Sequence, residues 1–435
     1  MDLQISKINL SAVSIASLQP YQRKAFLESL THEEAQALWY TWEFWARPEQ
    51  LAPAGSWYTW LILAGRGWGK TRSGVEYVRG KVERGEWRRV ALVASTAADA
   101  RDVIVEGESG FLATAPPNFR PVYEPSKRRL TWPNGAIATT YGAEKPDTLR
   151  GPQHDGALAD ELAKWRYEEA WDQLLLGLRL GEDPRVVVMT TPRPTKIIKD
   201  LFKDSTTAVS GGSTYQNVAN LAPAFARKII SKYQGTRLGR QELYAEILGD
   251  NPGALWTRDT LEENRVTRIP EMKRIVVAID PAATSGEDAD DTGIVVAGLG
   301  RDGHGYVLDD LSVHVSPNEW AKQAISAYHK YQADRIVAEI NNGGEMVETT
   351  IRTVERHIPY RALHASRGKQ TRAEPVAALY EQHRVHHLGM FSQLEDQLCE
   401  WVPGEAESPD RLDALVWAIT ELMLPGHSGK AADLI

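Results

Sequence analysis

Apolar positions in this chain come in short unbroken blocks separated by amphipathic stretches. WYTWLILAG (57–65), RRVALVAS (88–95), GALAD (156–160) and RVVVMTT (185–191) are such blocks. A strand with no polar side is buried on both faces, as in the middle of a parallel sheet. Helical patterns lie between them: KTRSGVEYVRGKVERG (70–85), a stretch from Ala97, and residues 167–180. Residues 16–47 also read as helical, with polar and aromatic positions at helical spacing. This alternation predicts an α/β fold with helices on both faces of a parallel sheet. DSTTAVSGGS (204–213) is small and polar and predicts a loop, with a helical segment after it over 222–247.

NPGALW (251–256) holds Pro and Gly breakers and reads as a boundary. A second α/β pattern follows. RIVVAID (274–280) predicts a buried strand, with TGIVVAGLG (292–300) and GYVLDDLSV (305–313) as antiparallel partners. Then come a helix (317–332), a strand (335–340), helices at 344–356 and 371–383, and a last helix from Pro409 to about Leu422. The order predicts a mixed sheet. The tail PGHSGKAADLI (425–435) is expected to be mobile.

With 435 residues, two to three domains are expected. Apolar residues at 42% and charged residues at 25% exclude a disordered or fibrous chain. No apolar run approaches the ~20 residues of a membrane helix. The N-terminus lacks a charged-then-apolar signal pattern, so a soluble cytosolic protein is expected. The single cysteine, Cys399, excludes an intrachain disulfide and a cysteine-cage metal site. The net charge of −8 argues against a tight static nucleic-acid binder. That acidity is uneven. Residues 256–435 hold 18 Lys and Arg against 29 Asp and Glu, and the preceding 255 residues carry an excess of three positive charges. Carboxylates concentrated in this way are either a solvated surface or a metal site.

AGRGWGKT (64–71) fits the phosphate-binding pattern G-x-x-x-x-G-K-[ST], with Ala64 in place of the first glycine. It lies between an apolar strand and a helix, as the chemistry requires. Gly65, Gly67 and Gly69 let the backbone turn its N–H groups to a polyphosphate, and the helix start adds its positive end. Lys70 is expected at the β and γ phosphates of ATP, and the Thr71 hydroxyl on Mg²⁺. GALADE (156–161) ends an apolar strand in two acids. Asp160 is expected to hold Mg²⁺, and Glu161 to deprotonate the attacking water. Thr190 and Thr191 follow another buried strand, where their hydroxyls either sense the γ-phosphate or form a turn before Pro192.

In the second half, Asp280, Glu339 and Asp413 sit at the ends of regular elements. Acids there are unfavourable unless paired or metal-bound. Three converging carboxylates would hold two Mg²⁺ or Mn²⁺ ions ~4 Å apart, the arrangement that cleaves phosphodiesters. Asp288, Asp290, Asp291 and Asp410 are further candidates.

Taken in order, AGRGWGKT, ALADE, IVVAIDPA, VAEINNGG and PDRLDALVWA resemble the large terminase subunit of tailed bacteriophages, from about Trp42 to Met423. The resemblance implies an N-terminal P-loop (ASCE-type) ATPase over 1–250, with a helical N-terminal segment and a linker subdomain near 204–250. It implies an RNase H-like nuclease over 256–424. It implies ATP-driven translocation of double-stranded DNA into a procapsid, and cutting of concatemers at the start and end of packaging. The implied partners are a portal protein, a small terminase subunit and copies of the chain in a homo-oligomeric ring, a pentamer, with no membrane. The implied location is the host cytoplasm, transiently on the procapsid and not in the mature virion. By the same resemblance, Gln50 in ARPEQL lies on the adenine side, and Arg66 is an arginine within the loop. Arg150 matches a finger from a neighbouring subunit, TTP (190–192) a coupling motif, Asp280, Glu339 and Asp413 the nuclease acids, and Lys369 a basic residue beside them. A helicase-nuclease, and an ATP-gated docking protein without turnover, are the competing readings; Glu161 speaks against the second.

Overall fold

The computed structural model describes residues 11–224, 227–228, 237–247, 249–281, 291–339, 344–363, 368–405 and 408–424. Much of the helix expected at 222–247, together with Asp288, Asp290 and the tail 425–435, lies outside the described residues. The chain forms two compact units, Met1–Leu248 and Gly249–Ile435.

The first unit holds strands β1 (Thr59–Ala64), β2 (Arg89–Ala94), β3 (Val122–Glu124), β4 (Arg129–Thr131), β5 (Ile137–Gly142), β6 (Gly156–Asp160), β7 (Arg185–Thr190) and β8 (Thr207–Gly212). They form one sheet in the order β3-β4-β5-β2-β6-β7-β1-β8. From β5 to β8 the pairs are parallel, while β3 and β4 are antiparallel additions at one edge. Successive strand side chains point to opposite faces. Trp60 and Ile62 therefore join Val75, Val78 and Val82 of the helix Lys70–Glu83. Leu61 and Leu63 join Trp171 and Leu174 of Glu169–Gly177, and Ile197 and Ile198 of Lys196–Lys203. Both faces are covered, which is why the strands carry no polar side.

The expected loop at 204–213 is instead β8, an edge strand paired parallel with β1. Its small residues hide a strand in the sequence because an edge needs no apolar side chains on both faces. Gly211, at φ +152, passes so close to β1 that a Cβ there would lie 1.6 Å from the Leu63 carbonyl oxygen. The expected helix at 16–47 is broken into Ala12–Ala16, Pro20–Ser29, His32–Tyr40 and Trp42–Trp45. Thr31 caps the third of these by accepting from the Glu34 N–H.

The second unit holds β9 (Arg265–Val266), β10 (Met272–Asp280), β11 (Gly293–Gly300), β12 (Gly305–Asp310), β13 (Arg335–Glu339), β14 (Tyr360–Leu363) and β15 (Val385–Leu388). Their order is β14-β13-β10-β11-β12-β15-β9. β10, β11 and β12 are antiparallel, and the outer pairs are parallel. The helix Asp410–Met423 covers Val276, Ala278 and Val295 on one face, and Trp320 and Ile325 of Pro317–Lys330 cover Val277 and Ile279 on the other. The mixed sheet is as expected.

Candidate active sites

In the first unit, β1 runs into the loop 65–69, and Gly69, at φ +105, starts the helix Lys70–Glu83. Neighbouring segments hold the first half of this loop. The Gly65 N–H donates to the Gly212 carbonyl (2.9 Å), and the Arg66 N–H to the Glu242 carbonyl (2.8 Å). The Thr214 hydroxyl donates to the Arg66 carbonyl (2.7 Å), and the Asn217 amide to that of Gly67 (2.6 Å). The N–H groups of Gly65 and Arg66 are thus already used. A polyphosphate would meet the backbone further along, towards the helix start. Thr71 is half-buried on the first turn. Gln50 is buried against the loop. Its side-chain oxygen accepts from the Arg47 N–H (3.1 Å), and a Cβ on Gly69 would lie 2.6 Å from its side-chain nitrogen. Arg66 points its guanidinium at Glu242, 2.8 Å away.

Lys70 Nζ donates to the Ala64 carbonyl at 2.8 Å and to Thr191 Oγ1 at 3.4 Å. Thr191 in turn donates to Glu161 from its hydroxyl and its N–H, both at 3.4 Å. Thr190, expected beside it at the phosphate, is turned away. Its hydroxyl accepts from the Ala163 N–H (3.2 Å) and donates to the Thr191 carbonyl (3.1 Å). Thr190 ends β7 and is fully buried, and Thr191 follows it outside the strand with its hydroxyl on Lys70 and Glu161.

Glu161 has a left-handed backbone, φ 50, just beyond β6. Burial would raise its pKa, but the Lys70 and Lys164 ammonium groups and the Thr191 N–H together hold it below the ordinary range. Lys164 lies 3.3 Å from it. Asp160 is buried, and burial beside the Glu161 charge pushes it up to about 7. A buried carboxyl so raised suits a divalent cation. Burial lowers the Lys70 pKa against the pull of Glu161, Asp160 and Glu242. Arg150 is exposed, just beyond the turn Pro146–Leu149.

In the second unit, Asp280 ends β10, Glu339 ends β13, and Asp413 lies in the first turn of Asp410–Met423. All three are buried. Burial, together with the charges of Asp413, Glu339 and Asp410 and against the pull of Lys369, pushes Asp280 up to about 8. The three acids therefore feel one another. Cations nevertheless occupy two of them. Lys369 Nζ is 2.7 Å from Asp413 Oδ2, and Arg372 NH1 is 3.4 Å from Glu339 Oε2. Trp417 Nε1 donates to Glu339 Oε2 at 2.7 Å. Burial raises Asp413, which Lys369 and Ser408 partly offset.

Among the described residues, no three His, Cys, Asp or Glu side chains already form a group able to hold a metal. Lys369 and Arg372 take up part of the space beside these acids, as cations do where like charges lie close together. The donor set still fits a hard divalent cation, since carboxylate oxygens are what such ions take. Asp291 belongs to a different network, paired with Arg411 NH2 at 3.2 Å while Arg411 NH1 holds Asp310.

Residues 61–263 match the family model described as terminase large subunit, T4likevirus-type, N-terminal, and residues 277–422 match the terminase RNaseH-like domain. The chain belongs to the terminase large subunit family. Its two halves are those of a phage DNA-packaging motor, an ATPase and an RNaseH-like nuclease. Comparison with curated proteins gave no match. Among solved structures, the large terminase of a thermophilic bacteriophage is 14% identical, covering 89% of this chain and 98% of that one, with a TM-score of 0.42. The HK97 bacteriophage large terminase is 13% identical, covering 93% and 95%, with a TM-score of 0.35. The large terminase nuclease of thermophilic phage G20c is 13% identical, covering 39% and 99%, with a TM-score of 0.30.

Some residues around these terminase sites escape sequence reasoning. Glu242 lies 176 positions from Arg66 and Trp417 lies 78 from Glu339, so no local pattern joins either pair. Lys164 was within reach, three residues after Glu161 on the turn Leu162–Lys164.

Proposed function

We propose that this chain couples ATP hydrolysis to the movement of double-stranded DNA into a procapsid and cuts concatemeric DNA at the start and end of packaging. The contact chain Lys70–Thr191–Glu161 carries the reading, because one hydroxyl joins a phosphate-binding cation to a carboxylate held ionised. Glu161 takes a proton from the attacking water as ADP leaves, Lys70 neutralises the β and γ phosphates, and Thr191 registers the phosphate between them. Thr71 and Asp160 would hold the Mg²⁺ that accompanies ATP, and Gln50 the adenine side. Asp280, Glu339 and Asp413 would hold two Mg²⁺ or Mn²⁺ ions, which supply Lewis acidity and an activated water for phosphodiester cleavage.

Arg150 would reach a neighbouring subunit's nucleotide in a ring, a pentamer, assembled on the procapsid with portal protein and small terminase subunit in the host cytoplasm. The test is a double dissociation in the full chain. Lys70→Ala should lose phosphate release and procapsid filling but still cut plasmid, and Asp280→Asn should do the reverse for cutting and phosphate release. Plasmid cutting by Asp280→Asn at the wild-type rate would sink the nuclease assignment.

A further inference from the structure

Trp417 belongs to the apolar face of the last helix, and it is only 4% exposed. A buried indole N–H needs an acceptor. Here the acceptor is Oε2 of Glu339, at 2.7 Å, and Glu339 is 8% exposed. The Arg372 guanidinium lies over the indole, with Cζ 4.4 Å from the ring centroid. Its NH1 is 3.4 Å from the same Oε2. Arg372 is also 8% exposed, and among the described residues its Nε and NH1 make no hydrogen bond. The ring face and the charges of Glu339 and Asp413 lie against it.

We infer that Trp417 is a positioning residue for Glu339 in metal-dependent DNA cleavage, and that Arg372, stacked on the indole, keeps the ring aimed at that carboxylate. The inference rests on the nuclease reading given above. The N–H bond helps to fix the plane of the Glu339 carboxylate, which lies near the charges of Asp280 and Arg372. Removal of such outer partners lowers metal affinity or activity about 10–100-fold in characterised metal sites. A role for Arg372 through charge alone has the opposite sign, because a cation beside a metal site repels the metal.

The two roles separate in a calorimetric Mn²⁺ titration of the full chain without nucleotide or DNA, run beside plasmid cleavage over a range of Mn²⁺ concentrations. The nuclease component of the heat is the part that Asp280→Asn removes. Trp417→Phe keeps an aromatic ring for Arg372 to stack on and loses the N–H. It should weaken that component about tenfold and raise the Mn²⁺ needed for half-maximal cleavage by a similar factor, with the rate recovering at saturating Mn²⁺. Arg372→Gln and Arg372→Lys should each weaken it less, and should add nothing in the Trp417→Phe background. Wild-type Mn²⁺ affinity in a folded Trp417→Phe chain would overturn the inference. So would tighter binding by Arg372→Gln in both backgrounds. Absence of any Asp280-dependent heat or cleavage in the wild type would overturn the nuclease reading itself, and this inference with it.

Discussion

Lys369 Nζ lies 2.7 Å from Asp413 Oδ2, so an ammonium group rests on one of the acids expected to hold metal. Lys369 is itself pushed up, because the pull of Asp413, Asp280 and Glu339 outweighs its burial. Lys369→Met removes a charge that partly offsets the burial of Asp413. The Asp413 pKa, already raised by burial, should rise further, so a higher pH is needed to ionise it. Plasmid cleavage near neutral pH should fall about tenfold and recover towards alkaline pH, with ATP turnover unchanged. Rates measured from pH 6 to 9 check this. A lower rate with the wild-type profile would place Lys369 on DNA instead.

Glu161→Gln should bind ATP and fail to hydrolyse it, since a carboxamide cannot accept the proton of water. Nucleotide binding by calorimetry and phosphate release together are the check. Loss of binding would make the residue structural.

His154 predicts a pH dependence of stability in the first unit. It is 5% exposed, neither ring nitrogen has a hydrogen-bond partner among the described residues, and burial lowers its pKa to about 4. The unfolded chain protonates this histidine near 6.5, well before the folded unit does. Stability is therefore complete above that pH and drains away as pH falls towards 4, by about 3 kcal/mol in all. His154→Phe preserves the ring and does not titrate. Its melting temperature should fall less than the wild type's between pH 7 and 5, and parallel curves would refute the assignment.

The Arg150 proposal concerns assembly. Arg150→Ala and Lys70→Ala should each be inactive in assembled rings. Mixed together they should regain some ATP hydrolysis, because a Lys70→Ala subunit still offers Arg150 to a neighbour with an intact loop. A neighbour's finger contributes about 10³–10⁵ in rate in related enzymes. Mixtures that stay silent where wild-type rings turn over would put Arg150 on DNA or on its own subunit.

Legibility in the sequence followed local density. β1, β2, β6 and β7 were readable because both faces are buried and no polar residue interrupts them. β5 reads IATTYG with only alternate positions buried, and β3 and β4 have three residues each, too short to leave a period. AGRGWGKT announced the ATPase side because its chemistry is written in eight adjacent residues. Asp280 and Glu339 were found at strand ends and Asp413 at a helix start. Lys369, Arg372 and Trp417 reach those carboxylates from two separate helices; the family resemblance pointed to Lys369, but only the fold brings Arg372 and Trp417 there. The threonine pair could not be divided from sequence, since that needed the place where β7 ends.

The bond from Lys70 to the Ala64 carbonyl makes the phosphate loop its own competitor. The ammonium already has a partner six residues back along the chain, and it sits desolvated in the site before any nucleotide arrives. Phosphate binding is therefore an exchange of one oxygen for another, without stripping water from a free lysine. Such an exchange flattens the difference between the empty and filled states, so affinity depends on how much better a charged phosphate oxygen is than a neutral carbonyl. By the same exchange the loop reclaims its lysine whenever a bound phosphate leaves.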